Sequence, residues 1–470
     1  MQKEVLETLS NNWDLYDVFT IVVPTAGGKT ALSKTIMNSL YSVSTITPNN
    51  LLVRQFLDEF PDTRTLHKMS SYYCDTWMRP CGQARAKQKG FCSGCKCSSD
   101  ISQAKYKDGP GIYNYWIDYA HKLHRKVLIV DEAHNLASTI KEIQAIKIWQ
   151  HDYHYPNNMV SEEDTQLWIS KLDNKKQQHK KIKLLREAVT YKVPTHKMQR
   201  SLELFNGKGT ERGVPELRDC IKLLPVDISQ SPEYFWPRDI TKKIILMSAT
   251  IGPKDIEELG LQRKRVLYIE ARSPIDPASR PIIPLDFMSI NYQTQVSEIV
   301  AISKEIENIA SYHPGEKGVV HVSYSLARSL QEHIKYKRFI FHSQSNKKEQ
   351  YELFRKKSPD SGSVLVASGF YEGIDLPEDL GRWQIIAKIP WQSLISPSIK
   401  HLAELDPDWY VWQTAKTTIQ ACGRICRTPE DYGITYCLDS SFNRLYKDGE
   451  HMMPQWFKEA IQWPKKNILT

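Results

Sequence analysis

At 470 residues, with 41% hydrophobic and 25% charged side chains, the chain has enough apolar material for two or three packed domains, which excludes a disordered or fibrous protein. A formal charge of +9 favours a polyanionic partner, although charge of this size also serves solubility. Met1 to Asn11 is mixed and polar and no apolar run reaches the length of a membrane span, so the expectation is an intracellular protein with no membrane contact.

In chain order, Met1 to Tyr16 reads as a helix with Val5, Leu6 and Leu9 on one side. Gln2 at its start is a candidate for adenine recognition, against the plainer reading of a surface glutamine. Val18 to Val23 reads as a short buried strand, and Ala31 to Leu40 has helix-forming composition. Between them, PTAGGKT has the strand, glycine turn, helix context of a phosphate-binding loop. Thr25, Ala26, Gly27 and Gly28 supply backbone that can curl its amides toward phosphate oxygens, beside the positive end of the next helix. Lys29 would reach the β- and γ-phosphates of ATP, and the Thr30 hydroxyl would hold Mg²⁺. Val23 stands where the full G-x-x-x-x-G-K-[ST] pattern has its first glycine, so an ordinary strand-to-helix turn is the competing reading.

Ser42 to Thr47 reads as a second strand, with Ser44, Thr45 and Thr47 as weak candidates for touching a nucleic-acid backbone. Leu51 to Phe60 has helical spacing. From Tyr72 to Asp100 regular periodicity disappears, and five of the nine cysteines fall there: Cys74, Cys81, Cys92, Cys95 and Cys97. In a reducing compartment that density points to metal rather than disulfides, with free thiols as the alternative. Thiolates suit tetrahedral Zn²⁺ or an iron-sulfur cluster, and spacing alone does not choose between them.

Lys126 to His134, KVLIVDEAH, reads as a buried strand running into two acids at its C-terminal end. Asp131 would coordinate Mg²⁺ and Glu132 would orient and deprotonate the attacking water; a solvated acidic loop is the plainer reading. Asn135 to Asp239 lacks strong strands and reads as mostly helical, with a basic run from Lys171 to Arg186. Lys243 to Thr250 returns as a strand, with Ser248 and Thr250 placed to sense nucleotide and relay its state to a neighbouring domain. A second α/β region begins near Val266, where Val319 to Ser323, Ser363 to Ala367 and Ile385 to Lys388 suit a parallel sheet. In QACGRICR, Arg424 and Arg427 would share a helix face and could stabilise charge on a transferring phosphoryl group.

Assembled, these segments resemble a superfamily 2 DNA helicase of the XPD/DinG iron-sulfur group. PTAGGKT resembles motif I, STITP motif Ia, DEAH motif II, MSAT motif III, YEGIDLP motif V and QACGRICR motif VI, in the family's order along nearly the whole chain. The cysteine insert lies between motifs Ia and II, where the group carries its cluster, and Ile112 to Tyr115 resembles the segment that follows it.

The resemblance implies an α/β fold of two RecA-like P-loop domains with an inserted Fe-S domain and a mostly helical arch. The first RecA-like domain would comprise 1–70, 106–137 and 240–265, the cluster insert 71–105, the arch 138–239 and the second RecA-like domain 266–470. It implies ATP and Mg²⁺ bound by Lys29, Thr30, Asp131 and Glu132, completed by Gly373, Asp375, Gln420, Arg424 and Arg427. A [4Fe-4S] cluster is favoured over Zn²⁺, on Cys74, Cys81, Cys92 and Cys95, with Cys97 as a spare because it stands where the group has an aromatic residue. The family's Arg-x-x-Gln adenine motif is reduced to Gln2. The implied partners are single-stranded DNA and forked or tailed duplexes, unwound 5′ to 3′ by a monomer in cytoplasm or nucleoid during replication, repair or recombination. The competing readings are an ATP-driven translocase that separates no strands and a non-enzymatic zinc-stabilised nucleic-acid-binding protein.

Overall fold

The structure, a computed structural model, describes the chain apart from residues 25, 41, 49, 67–71, 75–77, 82–94, 107–110, 115–124, 157–161, 173–178, 191–195, 206–215, 230–239, 292, 370–375 and 465–470. The first half supplies β1 (Val18–Val22), β2 (Val43–Thr47), β3 (Arg64–Leu66), β4 (Tyr73–Cys74), β5 (Arg79–Pro80), β6 (Gly111–Asn114), β7 (Val127–Asp131), β8 (Ile146–Trp149), β9 (His196–Phe205) and β10 (Glu216–Pro225). The second supplies β11 (Lys243–Ser248), β12 (Val266–Glu270), β13 (Ile282–Met288), β14 (Gly318–Val322), β15 (Phe339–Ile340), β16 (Val364–Ser368), β17 (Trp383–Ile386) and β18 (Ile434–Asp439).

A parallel sheet in the order β12-β1-β11-β7-β2-β6-β3 forms the first unit. All five residues of β1 and all five of β2 are buried, as expected where helices cover both faces. That burial corrects one expectation: Ser44, Thr45 and Thr47 lie inside the sheet between β7 and β6, so they do not meet a nucleic-acid backbone. The second unit is a parallel sheet, β13-β18-β17-β14-β16-β15; β14, β16 and β17 fall within a few residues of the strands the sequence marks, while β13, β15 and β18 are not marked there.

Between β7 and β11 lies the larger departure. The segment read as lacking strong strands holds an antiparallel sheet, β8-β10-β9, with the Glu162–Ser170 and Lys180–Thr190 helices beside it. Ile221 and Leu223 of β10 pack with Ile148, Trp168, Ile182 and Leu185 on one side. Lys222, between them, points the other way and pairs with Glu142 at 2.7 Å, on the Leu136–Ile143 helix. In R-D-C-I-K-L the adjacent charges of Arg218 and Asp219 break the alternation expected of a half-buried strand and, with the lysine between Ile221 and Leu223, obscure its apolar face. The cysteine-rich segment likewise contains order that periodicity does not reveal: β4 and β5 form a two-strand hairpin, and Lys96–Tyr106 is a helix.

The two parallel sheets are not separated by solvent on every side. One apolar cluster runs from Val18, Leu128 and Leu246 of the first sheet through Ile251 and Ile256 to Trp412, Ile419, Phe442 and Trp456. The Pro407–Cys422 helix therefore packs into both halves, and it is this helix that carries the second unit's polar groups to the first.

Candidate active site

Because β1, β11 and β7 are adjacent and parallel, the turns that follow them emerge side by side at one edge. The pairs Val22 to Ser248 and Met247 to Asp131 fix their register. The outer two strands stand about 10 Å apart, two interstrand spacings, a gap that a lysine and a glutamate side chain close by reaching toward each other. Lys29 Nζ accordingly donates to Glu132 Oε1 across that gap.

The turn after β1 has the shape its glycines imply. Gly28 caps the Lys29–Ser39 helix at φ 73°, and a Cβ at Gly27 would stand 2.5 Å from Val23 Cγ1. Ala26 also takes a positive φ, 63°, and is exposed. Gln2 donates from Nε2 to the Gly27 carbonyl at 3.3 Å, so its side chain braces the loop. Thr30 lies in the first helical turn and is partly exposed. Thr25, Gly373 and Asp375 lie outside the described residues.

The acids differ sharply. Burial and then the neighbouring Glu132 charge push the Asp131 carboxyl up to about 6. Burial acts to raise Glu132 as well, but the Lys29 ammonium, with His134 and Arg424 behind it, overrides this and holds it down at about 2. A divalent cation beside Asp131 would supply the compensating charge that burial otherwise denies it. Glu132 has a left-handed backbone, φ 49°, a conformation that costs a non-glycine residue about 1 kcal/mol.

A hydrogen-bonded chain leads away from these acids. Asn135 Nδ2 donates to His134 Nε2 at 2.8 Å, which leaves Nδ1–H to donate to Ser248 Oγ at 2.7 Å. Burial holds His134 down at about 3, in keeping with this neutral tautomer. Thr250 N–H donates to the same Ser248 oxygen at 3.1 Å, and Gln420 Nε2 donates to Thr250 Oγ1 at 3.0 Å. The chain thus crosses from the first sheet to the Pro407–Cys422 helix. Gln420 is buried and its Oε1 has no hydrogen-bond partner among the described residues, leaving an acceptor at the far end. His134 and Asn135 are functional candidates that sequence reasoning missed, although His134 stands within the DEAH segment itself.

The two arginines do not share a helix face. The helix ends at Cys422 with Gly423 as its cap, and Cys426 turns left-handed at φ 60°, so Arg424 and Arg427 lie on the turn beyond it. Arg424 is partly exposed, and its charge acts on Glu132 and His134 of the first unit and on His321 of the second. Arg427 turns back on its own loop: its N–H donates to Asp431 Oδ2 at 2.9 Å and Nη1 to the Gly423 carbonyl at 3.1 Å.

Of the cysteines, Cys92 lies outside the described residues. Cys81 and Cys97 are buried together with Tyr72, with half-buried Cys95 packed against them, and Ser98 N–H donates to Cys95 Sγ at 3.4 Å. Cys97, the expected spare, is therefore part of the thiol cluster, while Cys74 is buried on the β4 hairpin. Among the described residues no three His, Cys, Asp or Glu side chains form a set able to hold a metal. The described thiols alone do not fit an Fe-S cluster, and no step of the mechanism below depends on one. No helix among the described residues is long and apolar enough to cross a membrane.

Residues 306–460 match the family described as helicase C-terminal domain, and residues 1–160 that of the type III restriction enzyme res subunit. The chain is similar to the XPD helicase subunit of general transcription and DNA repair factor IIH from Dictyostelium discoideum, 34% identical over 128 residues, which is 24% of this chain and 16% of that protein. It is also similar to the regulator of telomere elongation helicase 1 homolog of Oryza sativa subsp. japonica, 25% identical over 285 residues, 48% of this chain and 27% of that one. The chain thus spans only a minor part of the length of these relatives. In fold it resembles S. tokodaii Xpd4, with a TM-score of 0.59 at 16% identity covering 99% of both chains. A second XPD helicase structure gives 0.62 at 15% identity, covering 98% of this chain and 99% of that one. The fold and the matches to two family models in the two halves of the chain agree with the order of the motifs, and the chain has the fold of the XPD helicase structures.

Proposed function

We propose that the chain is an ATP-dependent DNA helicase that moves 5′ to 3′ on single-stranded DNA and opens forked or tailed duplexes. The observation that carries the reading is the pairing of Lys29 with Glu132 across β1, β11 and β7, joined through His134, Ser248 and Thr250 to Gln420 of the second unit. The domain limits given above belong to this proposal, with the second unit beginning after Glu270 rather than at 266 because β12 pairs with β1 in the first sheet; the roles below belong to it as well.

ATP would lie with its phosphates on the amides of residues 25 to 30, its Mg²⁺ held by Thr30 and Asp131. The cation supplies charge neutralisation on the transferring phosphoryl group. Lys29 exchanges Glu132 for the β- and γ-phosphate oxygens. Glu132, released from that ammonium, regains basicity, orients the attacking water and accepts its proton at a carboxylate oxygen. Gln420 Oε1 is the buried acceptor that fixes the same water's second hydrogen, and Arg424 and Arg427 stabilise charge from the second unit. Gln2 braces the loop and faces the adenine, while Gly373 and Asp375 complete the second unit's side. The relay to Gln420 makes closure of the two units depend on nucleotide, so DNA held by both advances with each turnover. Cys74, Cys81, Cys92 and Cys95, with Cys97 as the spare, would hold a [4Fe-4S] cluster that would shape the separating edge; stoichiometric iron in anaerobically purified brown protein supports it, and colourless zinc protein overturns it.

The direct test of the enzymatic reading is ATP turnover with and without single-stranded DNA. Stimulation by DNA is expected, and a protein that hydrolyses no ATP in either condition is instead the non-enzymatic nucleic-acid-binding protein.

A further inference from the structure

The Pro407–Cys422 helix meets the first unit through more than the contact at Gln420. Asp255, 1% exposed, lies on the short Pro253–Glu258 helix that follows the Ser248 to Thr250 turn. Its Oδ2 accepts from Gly252 N–H at 2.9 Å and from Trp412 Nε1–H at 2.8 Å, and its Oδ1 accepts from Lys416 Nζ at 2.7 Å. Trp412, Lys416 and Gln420 are each four residues apart, so they form one stripe of the helix. The indole lies so close over Gly252 that a Cβ there would stand 3.0 Å from the ring. Gln413 reaches Glu258 at 3.4 Å, and Lys254 reaches Asp406, the residue that caps the helix through Trp409 N–H.

We infer that Asp255 is a positioning residue for hydrolysis: its buried bonds to Trp412 and Lys416 set the rotation of the Pro407–Cys422 helix, and with it the aim of Gln420 and Arg424. The inference rests on the ATP-hydrolysis reading above. Apolar side chains of similar volume could hold two helices together at least as well as a buried ion pair, but they would not fix one angle. An aspartate with three donors accepts only one register of the facing helix. The lever is short and stiff: Gln420 stands two turns, about 12 Å, from Trp412. A rotation of about 10° about the helix axis moves a side-chain tip by about 1 Å, and a displacement of that size can lower a rate by about a hundredfold. Because Gly27 to Thr30 belong to the other side of the site, the same rotation leaves ground-state binding of ATP largely unchanged.

The sequence offered no hint of this. Asp255 sits in an ordinary charged stretch, PKDIEE, and Trp412 and Lys416 read as one apolar and one solvated residue of an amphipathic helix.

The test is steady-state ATP hydrolysis, at saturating single-stranded DNA, by wild type, Trp412→Phe and Lys416→Met, with thermal melting of each. Trp412→Phe removes one donor and keeps a ring over Gly252; Lys416→Met removes the other and keeps the stem. Both are expected to lower kcat about tenfold or more while KM for ATP stays within about twofold. Asp255→Asn, which keeps the shape and loses the charge, should fall on the same side of that split. Unchanged kcat in folded Trp412→Phe and Lys416→Met overturns the inference, as does a rise in KM at constant kcat. Turnover by the wild type separates the two levels: its absence removes the hydrolysis reading and this inference with it, whereas a working wild type with unaffected variants removes the inference alone.

Discussion

The two sides of the site are built in different ways. On the first, Gly27 to Thr30 and Asp131 to His134 are contiguous segments at the ends of β1 and β7, parallel strands with β11 between them, and Lys29 and Glu132 already touch. On the second, Gln420 is aimed by packing of a long helix against another unit, Arg424 and Arg427 leave that helix on an irregular turn, and Arg427 is bonded to its own loop. Strand registers fix the first side, while the second depends on how two units meet. The phosphate side is preorganised and the arginine side must be brought into position, as the proposed movement between the two units requires.

Substitutions on the preorganised side should have the largest effects. Lys29→Ala removes the ammonium that reaches from the turn after β1 to Glu132 after β7 and is expected to lower ATP turnover by about three orders of magnitude while the fold persists. Activity persisting in that variant would contradict the phosphate-site assignment. The arginines should then separate. Arg424→Ala is expected to cost about a hundredfold in kcat and Arg427→Ala about tenfold, because the Arg424 charge acts on Glu132 while Arg427 bonds to the Gly423 carbonyl of its own loop. Equal losses, or a larger one at Arg427, would show that Arg427 abandons Gly423 and Asp431 when the units close on nucleotide.

A smaller effect, on stability, compares the sheets themselves. His134 beside the first and His321 within the second are both buried and held down by burial, at about 3 and about 4. Above the unfolded value near 6.5 both states are neutral and nothing is gained or lost. As pH falls below it, the unfolded chain binds protons that the folded chain refuses, so stability declines until the folded values are reached. Each histidine contributes up to about 1.4 kcal/mol per pH unit across its window. Melting temperatures between pH 7 and pH 5 should fall, and His321→Gln, which retains a partner for Gln384, should flatten that slope. A slope unaltered by the substitution would place the acid sensitivity elsewhere.

The same contrast explains what could be read from the sequence. The strand, turn and helix around Lys29 were legible because the glycines and the apolar run encode a local shape, and β7 announced itself by ending in two acids. The stripe Trp412, Lys416, Gln420 was not, since its meaning lies in Asp255, more than 150 residues away in the chain. Gly423 was a readable stop signal that a helical reading of QACGRICR passed over. The β10 strand was hidden because Lys222 serves the Leu136–Ile143 helix, and charge inside a strand imitates a solvated helix. Ser44, Thr45 and Thr47 show the opposite error, polar residues taken for a surface that are in fact interior.

The most direct test of the central claim is ATP-dependent strand separation, by anaerobically purified protein, of matched duplexes carrying either a 5′ or a 3′ single-stranded tail. Opening of the 5′-tailed duplex alone is the predicted result. ATP consumption stimulated by DNA with neither duplex opened would contradict it and make the protein a translocase that separates no strands.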